Sequence, residues 1–88
     1  MILRARWQGR LPEIGEYLMS STRPKFAYRI TGVEELRYLP HHVPGYQRLK
    51  LAVDRISAPD VPAGGVVWDW KWDARKKTGF AFPGTRRS

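Results

Sequence analysis

Residues 66–77, VVWDWKWDARKK, place Trp68, Trp70 and Trp72 at every second position and run directly into Arg75, Lys76 and Lys77. On an extended chain alternate side chains share a face at intervals of about 6.6 Å. The three indoles therefore form one row with Val66, and Asp69, Lys71 and Asp73 lie on the opposite face with Val67. A row of aromatic rings beside cations can bind single-stranded nucleic acid, since the rings stack on bases while the cations meet phosphate. It can equally anchor a protein interface. The competing use is the core, because a tryptophan buries up to about 250 Å². Trp7, Phe26, Tyr28 and several leucines claim the same interior, so the reading favoured is two indoles in the core or its rim and one outside. Burial of all three and exposure of the whole row are the other outcomes. Trp72, nearest the strand end and the cations, is the member expected at the surface.

The cations support a polyanion partner. Sixteen Lys+Arg against eight Asp+Glu give a net charge of +8, and a strongly basic chain attracts nucleic acid or another acidic surface. Five of those charges sit in residues 74–88, a segment without an acid. Arg4, Arg6, Arg29, Arg48 and Lys50 each alternate with apolar residues and so fall on the polar faces of their strands. These five, with Trp72 and with Arg75, Lys76 and Lys77, are the candidate residues for binding nucleic acid or a protein partner. An ordinary solvated exterior is the competing reading of the strand arginines. Asp69 and Asp73 flank Lys71 and would repel a phosphate backbone on that face.

Catalytic and metal chemistry find little support. His41 and His42 are adjacent, so on an extended chain they point to opposite sides, and the sequence has no cysteine or further histidine to complete a metal site. Glu34-Glu35 and Asp69/Asp73 lie on strand ends, where pairing with nearby Arg or Lys explains them without a cleft. The glycine pair in "AGG" at 63–65 lacks the helix and lysine of a phosphate loop, and Ser20 and Ser21 have no histidine near them in sequence. The expectation is a protein that is not an enzyme and that uses no cofactor and no metal.

The elements that must position these residues are strands. ILRARW sets Leu3, Ala5 and Trp7 against Arg4 and Arg6. Gly9, Pro12 and Gly15 then mark a loop, EYLMS reads as a short strand, and STRP as a turn. KFAYRITGV puts Phe26, Tyr28 and Ile30 on one face and Ala27, Arg29, Thr31 and Val33 on the other. EELRYLPHHVPGY reads as a strand end and a loop, since Pro40, Pro44 and Gly45 rule out a long helix. YQRLKLAVDRIS turns Leu49, Leu51 and Val53 inward, opposed by Tyr28 and Ile30. A Pro/Gly loop precedes the tryptophan strand, and Gly79, Pro83 and Gly84 read as breakers after it. The fold expected is all-β: a small, five-stranded, partly open barrel at 1–74, since closure protects sheet edges, followed by a partly mobile basic tail at 75–88.

IGEYLMSSTRPKFAYRITGVE resembles the strand–turn–strand core of small SH3-like barrels, in which a Gly-acid-aromatic start leads to a hairpin. In that likeness the returning strand carries an aromatic-basic-aliphatic triplet, here Tyr28-Arg29-Ile30, and RLKLAVDRISAPDVPAGG fits the same plan. The resemblance covers residues 13–73 and extends to uncharacterised small proteins of bacteria and their phages. It carries no functional residue across, because such barrels bind peptides, nucleic acids and proteins alike.

Two functions are thus expected. One is a nucleic-acid-binding module, for DNA or RNA, built on basic strand faces and tail with aromatic stacking. The other is a small protein-interaction or assembly factor, phage-encoded as a virion component or an inhibitor of a host protein, with the tryptophan strand as interface. No apolar run reaches the ~18 residues that span a bilayer, and MILRARWQGR does not read as a signal peptide. A cytoplasmic setting, in a bacterium or a phage-infected host cell, is the expectation.

Overall fold

The computed structural model of the protein describes residues 1–7, 9–20, 23–36, 47–75 and 77–82. Six strands, β1 (Ile2–Trp7), β2 (Tyr17–Met19), β3 (Phe26–Glu35), β4 (Gln47–Ser57), β5 (Val67–Asp73) and β6 (Thr78–Phe82), pair in the order β1-β4-β3-β2-β5-β6 and close into a barrel. There is no α-helix among the described residues, only a 3₁₀ turn at Ala58–Asp60. Neighbours are antiparallel except for β1–β6 and β2–β5, which are parallel. The β3–β4 pair and the loop after it act as the crossover that the parallel β2–β5 pairing needs.

The all-β small barrel agrees with the sequence reading, but three details of that reading need correction. The strands among the described residues number six rather than five, and the barrel they form is closed rather than partly open. Thr78–Phe82, which the sequence places in a basic tail, is a strand paired to β5 from Asp73↔Thr78 to Asp69↔Phe82 and to β1 at Ala5↔Gly79 and Arg6↔Phe80. The physical reason lies in Gly79. A Cβ on this residue would overlap the Trp70 ring, so the glycine marks a close approach of backbone to side chain inside a strand. In sequence it looks like a breaker. Residues 83–88, the rest of the expected tail, and His41, His42 and Lys76 lie outside the described residues.

The barrel interior is filled by the alternation of its strands. Ala5, Trp7, Leu18, Ile30, Leu49, Leu51, Val53, Trp68, Trp70 and Ala81 are buried together, with Leu3, Tyr28, Val33 and Val66 packed against them. Ile30 and Val33 both join this core although their spacing puts them on opposite faces of a regular strand. A β-bulge between Ile30 and Gly32 resolves the conflict: the extra residue, Thr31, shifts the register so that Val33 comes opposite Leu51. A smaller cluster of Tyr17, Ala27 and Val61, with Met19, Ile56 and Val67 against it, lies apart from this core.

Candidate functional site

The strand directions give the barrel two unlike ends. At one end β2 begins and β1 finishes; at the other β1, β3 and β6 begin while β2, β4 and β5 finish. The first end is closed by the loop after β1. Trp7 Nε1 donates to the Arg10 carbonyl at 2.8 Å, and Trp7 meets Trp68 edge-on at 4.7 Å between centroids. Glu16, only 8% exposed, accepts hydrogen bonds from Trp68 Nε1 at 2.9 Å, from the Glu13 N–H at 2.9 Å and from the Arg10 guanidinium at 3.1 Å. The same guanidinium lies 4.9 Å over the Trp68 ring.

Burial by itself would raise the Glu16 carboxyl, but the Glu13 amide, the Trp68 indole and the Arg10 guanidinium together outweigh it and hold the group below its ordinary value. A carboxylate lowered in the native state stabilises the fold above the unfolded value, near pH 4.3. That contribution is lost as the pH falls through the lower native value. Glu16→Gln should therefore reduce the melting temperature at pH 7, and the gap from the parent protein should narrow as the pH is taken from 5 toward 3. A gap that stays constant over that range would show that the negative charge is not what the cradle holds. The cluster ties loop to barrel, and we read it as structural.

The opposite end is open. Its cavity, about 600 Å³, has Leu3, Tyr28 and Trp70 as floor. Its rim carries Phe26 and Trp72 together with Arg23, Arg55 and Lys71. Phe26 is 43% and Trp72 49% exposed. Trp68 and Trp70 are buried while Trp72, continuing the same row beyond the packed interior, emerges at the mouth. Trp72 leans on Trp70, with centroids 6.4 Å apart and planes 29° apart, and the Arg55 guanidinium stands 4.9 Å over the Phe26 ring. A second hollow, lined by Lys71, Trp72, Arg75 and Phe80 among others, makes Trp72 and Lys71 common to two concavities.

The expected cationic residues divide between places. Arg4 pairs with Lys50 and Arg6 with Arg48 across β1 and β4, forming a two-by-two block of positive charge on the outer wall, bordered by the exposed Glu34 of β3 opposite Lys50. None of the four makes an ion pair among the described residues. A small hollow runs between Arg4, Arg6 and Arg48, bounded by Leu36 and Thr78. Arg6 also lies 5.6 Å over Phe80, and Phe80 pairs with Lys71, so Arg48, Arg6, Phe80 and Lys71 continue across four strands. Arg29 is elsewhere, opposite Asp54 and ion-paired to it at 3.3 Å. Arg75 and Lys77 are exposed in the connection from β5 to β6, where the Arg75 amide donates to the Asp73 carboxylate at 3.0 Å.

The sequence by itself does not mark Arg23, Phe26, Arg55, Lys71 or Phe80 as binding residues. In sequence Lys71 is masked by its acidic neighbours Asp69 and Asp73, and the others gain their meaning only from the closure of the barrel. No group of three or more acidic or histidine side chains suited to a metal occurs among the described residues. No helix there is long and apolar enough to cross a membrane. No family model, no curated protein and no solved structure matches the chain.

Proposed function

We propose that the protein is a non-enzymatic nucleic-acid-binding module whose outer basic wall grips the phosphate backbone. The observation that carries this reading is the cross-strand doubling of like charge, Arg4 opposite Lys50 and Arg6 opposite Arg48. Like charges directly opposite on a sheet destabilise the fold, and a polyanion relieves that repulsion on binding. Residues 13–73, similar in plan to SH3-like barrels, suit a binding module. Nucleic acid is at hand in the cytoplasmic setting, bacterial or phage-infected, that belongs to the same proposal. The second reading, a protein-interaction or assembly factor docking on an acidic surface, draws on the exposed Ile2, Phe26 and Trp72.

The test is binding of a fluorescently labelled oligonucleotide across a salt series. Four phosphate contacts correspond to a log–log slope of about −3. Arg6→Gln with Arg48→Gln should make that slope shallower by about 1.5 and weaken binding at low salt at least tenfold. The melting temperature should hold or rise as the repulsion is relieved. An absence of salt-dependent binding, or equal binding by the double variant, would reject the outer wall as the nucleic-acid surface and favour the protein-partner reading.

A further inference from the structure

The open mouth of the barrel combines features that the outer wall does not explain. Its floor and walls are mainly aromatic, Tyr28, Trp70, Phe26 and Trp72, with Leu3 beside them in the floor. Its charged lining is all positive, Arg23, Arg55 and Lys71, with no acid among the described lining residues. An aromatic cage for an ammonium ligand works through the negative ring faces, and three cations on the rim would repel such a ligand. A purely apolar occupant would leave the cations without a partner. A planar aromatic group that carries negative charge satisfies both, and a nucleobase with its phosphates is such a group. The volume, about 600 Å³, falls within the range of small-molecule sites.

The mouth is also connected to the outer wall. From Arg48 and Arg6 the surface passes to Phe80 and Lys71, each step being one strand spacing of about 4.8 Å. Lys71 and Trp72 border both the hollow beside Phe80 and the mouth itself, whereas Asp73 lines only the hollow and Asp69 neither, so the acids that flank Lys71 stay out of the mouth lining. A backbone held by the wall thus arrives at Trp72, where a base can turn inward and stack.

We propose that the mouth is a base-binding site for single-stranded nucleic acid, in which one unpaired base stacks on Trp72 between it and the Phe26 wall while Arg23, Arg55 and Lys71 hold the flanking phosphates. This rests on the outer-wall reading for its backbone grip and adds a strand preference that the wall alone does not supply. A paired base in a duplex is stacked on both faces and has to leave the helix before it can enter.

The probes are labelled dT12, a 12-base-pair duplex, inorganic polyphosphate and the mononucleotide dTMP. Trp7, Trp68 and Trp70 are buried, so quenching of intrinsic fluorescence reports chiefly on Trp72 and its neighbour. The expected result is that dT12 quenches and binds more tightly than the duplex at equal salt, that polyphosphate binds without comparable quenching, and that dTMP quenches only at far higher concentration. Trp72→Leu should weaken dT12 by about five- to a hundredfold, the range of one lost base–aromatic stack, bringing it toward the duplex, whose affinity should not change. Phe26→Leu, on the facing wall, should act in the same direction and serves if Trp72→Leu proves unstable.

Single-strand affinity unchanged in both variants overturns the mouth as a base site while leaving the outer wall standing. Loss of binding in Arg6→Gln/Arg48→Gln for every probe, with Trp72→Leu selective for dT12, supports both. Equal affinity of dTMP and dT12 overturns the strand as occupant and identifies a free nucleotide. No binding of any probe overturns this proposal together with the reading on which it rests.

Discussion

A chain ended at Lys77 should fail to fold. Without Thr78–Phe82 the barrel loses a strand bonded to β5 over five register positions and to β1 at two, and both neighbours become open edges. The Trp70 indole loses the backbone it lies against and the interior loses Ala81. A domain of this size is held by about 4–13 kcal/mol in all. Exposing a tryptophan of 150–250 Å² costs roughly 4–6 kcal/mol at 25 cal/mol per Å², before the lost strand pairing is counted. The matched control is a chain ended at Phe82, which retains all six strands of the described barrel and should fold. Near-ultraviolet circular dichroism is the measurement, since the buried indoles give the native signal. A native signal and a cooperative melt in the shorter chain would mean that the barrel stands on five strands after all and that β6 is an accessory.

Replacing a single glycine should come close to the same effect. Gly79→Ala puts a methyl group where the Trp70 ring lies, and Trp70, 3% exposed, is hemmed in by the core around it. Gly79 cannot retreat easily, because it is paired to Trp72 on one side and to Ala5 on the other. Overpacking of a fixed core costs about 1–3 kcal/mol and sometimes more, and a clash with an indole caught between two paired strands belongs at the upper end or beyond. The cost should be specific to the partner. In a Trp70→Leu background, itself destabilised by the smaller side chain, adding Gly79→Ala should cost much less than it does alone, because residues in contact are not additive. Denaturant titration of the four proteins gives the coupling. Full additivity would show that the glycine is required by its backbone and not by the ring.

Much of this architecture is visible along the chain because a small barrel has one inside and one outside. Its strands therefore alternate, and Leu3-Ala5-Trp7, Leu49-Leu51-Val53 and Trp68-Trp70 announce the interior by period alone. Trp72 continues the row but comes after the interior is full, and its place near the end of β5 is enough to set it at the surface. The net charge, likewise, is a property of composition. What local pattern does not contain is register between distant segments. Thr31 looks like any strand residue, yet as the bulge it brings Ile30 and Val33 to the same side. Arg4 and Arg6 become a charged block only because β4, more than forty residues away, aligns Lys50 and Arg48 with them. The mouth draws Phe26, Arg55 and Trp72 from three separate strands, and Glu16, in sequence only the acid at the start of a short strand, is buried among Trp68, Arg10 and the Glu13 amide. Closure itself depends on Gly79, whose meaning is set by a ring nine residues earlier. Periodicity reflects which face of a strand meets apolar surface, a choice each residue makes against its immediate neighbours. Strand partners, shear and closure are decided by contacts between segments far apart in sequence, and those acquire an energy only when the whole ring has formed.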